Sequence, residues 1–183
     1  DFGPLHPDAM TSKACLARVV FEQGNFSRGI SLLRETLALE RDALGKSHPE
    51  SLASQYHLSH ALRRQGAYRE AEQVGRGAWE AQNATLGKKH PDTLRSQCNL
   101  GLIMSFGGKN EAGLAFIRES IDLQIEVLGC KHPDVIESKR NFAVALLEAG
   151  NVKDAEACYR DALFLHDAVH GSRHPQGLRW QSE

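Results

Sequence analysis

The sequence predicts an all-α fold, a right-handed superhelical α-solenoid of antiparallel helix hairpins, on three observations. The first is a Gly-x-x-His-Pro pattern at Gly3/His6-Pro7, Gly45/His48-Pro49, Gly87/His90-Pro91, Gly129/His132-Pro133 and Gly171/His174-Pro175. Neighbouring histidines stand 42 residues apart every time, with no insertion. The second is a glycine column on the same beat, Gly24, Gly66, Gly108 and Gly150. The third is a pair of small-residue columns: Ala17, Ser59, Gly101 and Ala143, and Gly29, Ala71, Gly113 and Ala155. A fixed period of about 20–50 residues marks a repeat array in which each unit is one supersecondary element.

Each unit reads as two helices. The first begins at the His-Pro, because proline tolerates the first helical position, where its missing N–H costs nothing. The residue before proline is pushed toward extended backbone, which sets the boundary. An acid follows in Asp8, Glu50, Asp92 and Asp134, favourable beside the positive end of a helix dipole. This helix is expected to run roughly fourteen residues, to a glycine able to adopt the left-handed conformation that ends helices. The second helix starts near Phe26, Tyr68, Asn110 and Val152 and carries apolar residues at helical spacing, such as Ile30, Leu33 and Leu37. The small columns let the two backbones approach closely. A hairpin cannot cover its own apolar faces, so neighbours must stack, with contacts mostly to adjacent units.

This register divides the chain into 1–6, the tail end of a preceding repeat; 7–48, 49–90, 91–132 and 133–174, four repeats; and 175–183, the start of a fifth, incomplete one. Phe2-Gly3 aligns with Leu44-Gly45, so the chain reads as a segment of a longer protein. Its incomplete terminal repeats are candidate self-association surfaces.

Composition excludes several classes. A net charge of −1 and a pI near 6.8 give no general reason to bind nucleic acid or an acidic membrane. No apolar run approaches the roughly 18–20 residues that span a bilayer, and the first residues show no signal-peptide pattern. Cys15, Cys98, Cys130 and Cys158 fall at unlike positions in their repeats, as incidental thiols in a reducing compartment do. Cytoplasm is the expectation. The five linker histidines are too far apart to share a metal. His57 and His60, or His166 and His170, could share one by spacing, but no third ligand is fixed. Gly107-Gly108 lacks the Lys-Ser/Thr of a phosphate-binding loop. No nucleophile with a base, and no pair of carboxylates in a cleft, stands out. The expectation is no metal, no cofactor and no enzyme activity.

Tyr68-Arg69-Glu70-Ala71-Glu72, and Val152-Lys153-Asp154-Ala155-Glu156 followed by Tyr159 and Ala162-Leu163, resemble the second-helix motif of tetratricopeptide repeats (TPRs). Leu44-Gly45-Lys46-Ser47-His48-Pro49 and its copies resemble the linker of the 42-residue, kinesin light chain-like subtype. Asn110 departs from the aromatics Phe26 and Tyr68, and Gly75 from the bulky Leu33, Ile117 and Tyr159.

The resemblance implies that first helices line a concave groove that takes a partner peptide. In register, that face carries Thr11, Ala14, Arg18 and Glu22; Tyr56, His57, His60, Arg63 and Arg64; Arg95, Cys98, Asn99 and Leu102; and Glu137, Arg140, Asn141 and Val144. Arg18, Arg63, Arg64, Arg95 and Arg140 outnumber Glu22 and Glu137, and guanidinium forks suit carboxylates. Asn99 and Asn141 are equivalent and could each hold a peptide backbone by donating and accepting. Tyr56 and Leu102 would add apolar contact. The expected function is a protein-interaction scaffold within a larger adaptor or signalling protein, its groove suited to an acidic peptide. The alternative is a structural spacer or self-association array.

Overall fold

The computed structural model describes residues 7–170, without the side chains at positions 7, 8, 10, 11 and 170. The expectations for residues 1–6 and 175–183, and for His6 and His174, lie outside the described residues. Within them the chain forms α1 (Pro7–Glu22), α2 (Phe26–Ala43), α3 (Pro49–Gln65), α4 (Tyr68–Leu86), α5 (Pro91–Phe106), α6 (Asn110–Leu128), α7 (Pro133–Glu148) and α8 (Val152–His170). No strand occurs among these residues. First helices are 16 or 17 residues long, slightly longer than expected, because no breaker precedes their terminal turn. Neither Asn110 nor Gly75 interrupts its helix; α4 and α6 each run 19 residues.

The linker histidines act as N-caps. His48, His90 and His132 hold extended backbone, and each Nδ1 accepts the backbone N–H two residues on, from Glu50 (3.3 Å), Asp92 (3.2 Å) and Asp134 (3.1 Å). Each cap satisfies one of the N–H groups that a helix start leaves without an internal partner. At the other end Gly66 closes α3 with φ +87°, a conformation that strains any residue bearing a Cβ.

The small columns bring backbones together as expected, most closely in α5–α6. A Cβ on Gly113 would lie 2.5 Å from the Gly101 carbonyl oxygen, and one on Gly101 would lie 2.7 Å from that of Gly113. In α1–α2, a Cβ on Gly29 would lie 2.8 Å from the Phe21 Cβ.

The helices group into two compact units, Asp1–Gly87 and Lys88–Glu183. In the first, α2 packs on both α1 and α3, and Phe21, Ile30, Leu33, Leu37, Leu52, Leu58 and Leu62 are buried. In the second, α7 packs on both α5 and α6, and Cys98, Leu102, Ile117, Ile121 and Ala145 form one buried cluster. Each unit therefore contains a hairpin stacked on its neighbour.

A polar tie also crosses the hairpins in one register. Lys13 pairs with Glu35 at 3.0 Å, Gln97 donates to Glu119 at 2.9 Å, and Lys139 pairs with Asp161. In α3–α4 the acid's place is taken by Gly77, where a Cβ would lie 2.8 Å from Gln55 Nε2. Gln55 donates instead to the Val74 carbonyl (3.0 Å) and accepts from Arg41 of the preceding hairpin (2.7 Å). The tie within this hairpin therefore ends on a backbone carbonyl instead of an acid, and a second one joins it to the preceding hairpin.

Gly113→Ala should destabilise the chain by about 2 kcal/mol, since the obstructing atoms include the backbone of Gly101. Gly24→Ala meets no atom within 4 Å and should cost only about 1 kcal/mol, through its left-handed backbone. Urea unfolding of both variants checks the ranking. His90→Ala should cost about 1 kcal/mol by removing the α5 cap, read in the same assay.

Candidate functional site

The face expected to meet a partner is built on first helices, whose exposed side recurs every three to four residues. On α3 it holds Tyr56, His57, His60 and Arg63, all half-buried, and the more exposed Arg64. The Tyr56 ring lies edge-on to His57, with centroids 5.3 Å apart, and stacks with His60 at 6.4 Å. Arg64 reaches α1, where it pairs with Glu22 at 2.5 Å and lies over the Phe21 ring, 5.0 Å from its centroid. Arg18 is exposed on α1. The structure thus brings an aromatic and imidazole row together with arginines on the α1–α3 side of the first unit.

In the second unit the face is less open. Arg95 is exposed on α5 and pairs with Asp92 at 2.5 Å. On α7 the half-buried Arg140 pairs with Glu137 at 2.7 Å and donates to the Asn141 side-chain oxygen at 3.2 Å. The Asn141 amide also points at the Cys98 sulfur, 3.9 Å away. Two expectations need correction here. Leu102 is only 2% exposed and belongs to the core with Ile117, Ile121 and Ala145, so it offers no apolar contact at the surface. Asn99 is 5% exposed, so its amide does not lie open to a passing peptide backbone. Both share a register with residues that stay accessible in α1 and α3, and burial in α5 is what separates them.

The excess of arginine counted from sequence is partly neutralised. Arg64, Arg95 and Arg140 each hold a carboxylate, and Asp92 is an acid that the inner-face count omitted. These pairs are solvent-exposed to differing degrees, and such pairs contribute little to stability. They remain exchangeable: an incoming carboxylate can displace the internal one without leaving a buried charge.

Elsewhere, Lys13 holds the Glu35 carboxyl below its ordinary value by hydrogen bond and charge. Burial pushes the Cys158 thiol up, away from reactive thiolate. Among the described residues no three or more His, Cys, Asp or Glu side chains are grouped to hold a metal ion. Nor is any helix among them long and apolar enough to cross a membrane.

Hairpins of this length, joined by a His-capped linker and stacked in this register, can be compared with known proteins. A family profile for the tetratricopeptide repeat matches residues 8–78 and 106–165. The chain belongs to the tetratricopeptide repeat family. Among solved structures, TPR arrays of the kinesin light chain kind resemble it. A point variant of a Podosopora anserina protein described as a kinesin light chain with nearly identical TPR-like repeats is 25% identical. It superposes with a TM-score of 0.71 over 90% of this chain and 78% of that one. A second structure of that protein, described without the substitution, is 24% identical, with a TM-score of 0.68 over 92% of this chain and 80% of that one. BtubC (BKLC) from P. vanneervenii shares the fold at 16% identity, with a TM-score of 0.73 over 93% and 68% of the two chains. A search of curated protein sequences finds no match. This TPR array is therefore kinesin light chain-like in its repeats. TPR arrays in general mediate protein–protein interactions and are typically non-catalytic scaffolds.

A double-mutant cycle on Glu22 and Arg64 should give a coupling below about 1 kcal/mol, because both side chains are substantially exposed. The coupling should shrink as salt is raised, measured by urea unfolding at two ionic strengths.

Proposed function

We propose that this TPR array is a non-catalytic scaffold that captures a partner peptide on its first-helix faces, within a larger cytoplasmic adaptor or signalling protein. The observation that carries this reading is the α3 row. Tyr56, His57 and His60 form a half-buried aromatic and imidazole platform next to Arg63 and Arg64. A platform of that kind offers apolar area to a side chain and guanidinium forks to a carboxylate. Arg18 on α1 carries the same chemistry in the first unit, and Arg95, Arg140 and Asn141 carry it separately on α5 and α7 of the second. An acidic peptide is favoured because each paired arginine can trade its own carboxylate for one from the ligand. Neither nucleic acid nor a membrane is a partner in this reading.

A second reading, a spacer or self-association array, is favoured by the last hairpin. Phe164 is 72% exposed on α8, and Leu147 and Val152 are 46% and 62% exposed nearby in sequence.

A peptide-array or pull-down screen with Arg63→Glu and Arg95→Glu combined separates the two. Saturable capture should be lost, while circular dichroism shows that the variant keeps its helical content and cooperative unfolding. Capture that survives both reversals sinks the acidic-peptide reading. Concentration-dependent association in sedimentation, with no peptide captured, supports the second.

A further inference from the structure

One buried polar position recurs near the end of every second helix. Glu40 is 2% exposed, Gln82 3%, Gln124 0% and His166 2%, and the four stand 42 residues apart. Glutamine and protonated glutamic acid have nearly the same shape, with an O–H standing where the amide has its NH2, and only the acid can ionise. The joint α2–α3 thus carries a titratable group where α6–α7 carries its neutral counterpart. Ser54 of α3 hydrogen-bonds the Glu40 carboxyl, while Glu40 Oε2 is buried with no hydrogen-bond partner, as are Gln124 Oε1 and Nε2; at Glu40 alone of these can the orphan atom carry a charge. The matching serine of α7, Ser138, is also buried, at 4% exposure.

The charged groups around Glu40 do not neutralise it. Glu50 in the first turn of α3 opposes its ionisation, and His48, the α3 N-cap, favours it. Next to it on α2, Arg41 is drawn to Gln55 at 2.7 Å, and Asp42 is exposed. From α1, Lys13 is held by Glu35 at 3.0 Å. Arg34 is held by Glu70 of α4 at 2.6 Å. No cation forms an ion pair with Glu40 among the described residues.

We propose that Glu40 is a proton-operated latch of the α2–α3 joint. Protonated, it fills its site as a glutamine does, without a charge. Ionised, it places an unpaired carboxylate oxygen in a buried joint, and the two hairpins part more readily. Burial is the main cause that lifts the Glu40 carboxyl above its ordinary value. The folded chain therefore keeps the proton over a range where the unfolded chain has lost it. The stability this contributes is fully present below the ordinary carboxylate range and is lost as pH rises through the raised value. Because Arg64 of α3 and Glu22 of α1 meet across the same two hairpins, the latch also sets how firmly that corner of the first-helix face is held. The latch itself stands apart from the peptide-capture reading and needs no ligand.

The test is urea unfolding of the full chain, of Glu40→Gln and of Gln124→Glu, from about pH 4 to about pH 8. The midpoint of Glu40→Gln should match the parent at the acid end and rise progressively above it with pH. Gln124→Glu should fold at the acid end and lose stability with rising pH, because it puts the same titratable group into the α6–α7 joint. Ser54→Ala removes a donor to the ionised form, so its loss should be completed at higher pH than the parent's. A pH-independent offset between parent and Glu40→Gln would overturn the proposal. So would a Gln124→Glu variant whose stability relative to the parent does not change with pH.

Discussion

Two antiparallel helices that approach to backbone contact still leave much of their apolar surface open, and this constraint organises the rest of the molecule. Gly101 and Gly113 show how closely the helices approach, since neither position has space for a methyl group. The interior of α5–α6 is thereby filled by backbone and by Ile117, which lies against Gly101, while Leu102 and Ile121 join it in a cluster that the following hairpin completes. Ala145 of α7 completes that cluster. Burial is obtained between hairpins as much as within them. A constant period follows, because every joint must present the same depth and rise to its neighbour.

The same constraint divides the repeat into positions with separate tasks. Those facing a joint within a unit are buried, and when polar they carry a register of their own, as Glu40 and Gln124 do. Those facing outward are free to differ between repeats, and there chemistry accumulates: arginines, an aromatic and imidazole row, and exchangeable ion pairs. A TPR array can thus change its ligand without changing its fold. It is also why a site residue is best judged by burial in its own repeat, not by register alone.

Helix boundaries were legible from sequence because proline, glycine and a capping histidine each have a fixed backbone meaning. The Nδ1 caps of His48, His90 and His132 follow from that punctuation. Side-chain partners were less legible. Leu102 shares its register with Arg18, His60 and Val144, and only the packing of Cys98, Ile117 and Ala145 around it takes it into the core. The pairing of Arg64 with Glu22 and of Arg95 with Asp92 depends on rotamers that no spacing rule specifies. One signal was present and missed. The polar column Lys13, Gln55, Gln97 and Lys139 stands opposite Glu35, Gly77, Glu119 and Asp161, and a search for periodic polar residues would have found both the ties and the exception at Gly77.

If stacking holds these hairpins, one hairpin by itself should not be stable. Circular dichroism during thermal unfolding, on a fragment of residues 88–130 and on one of residues 88–170, measures this directly. The single hairpin should be largely unfolded and show no cooperative transition, while the pair should be helical and melt cooperatively. A single hairpin with the helicity and melting midpoint of the pair would contradict the account.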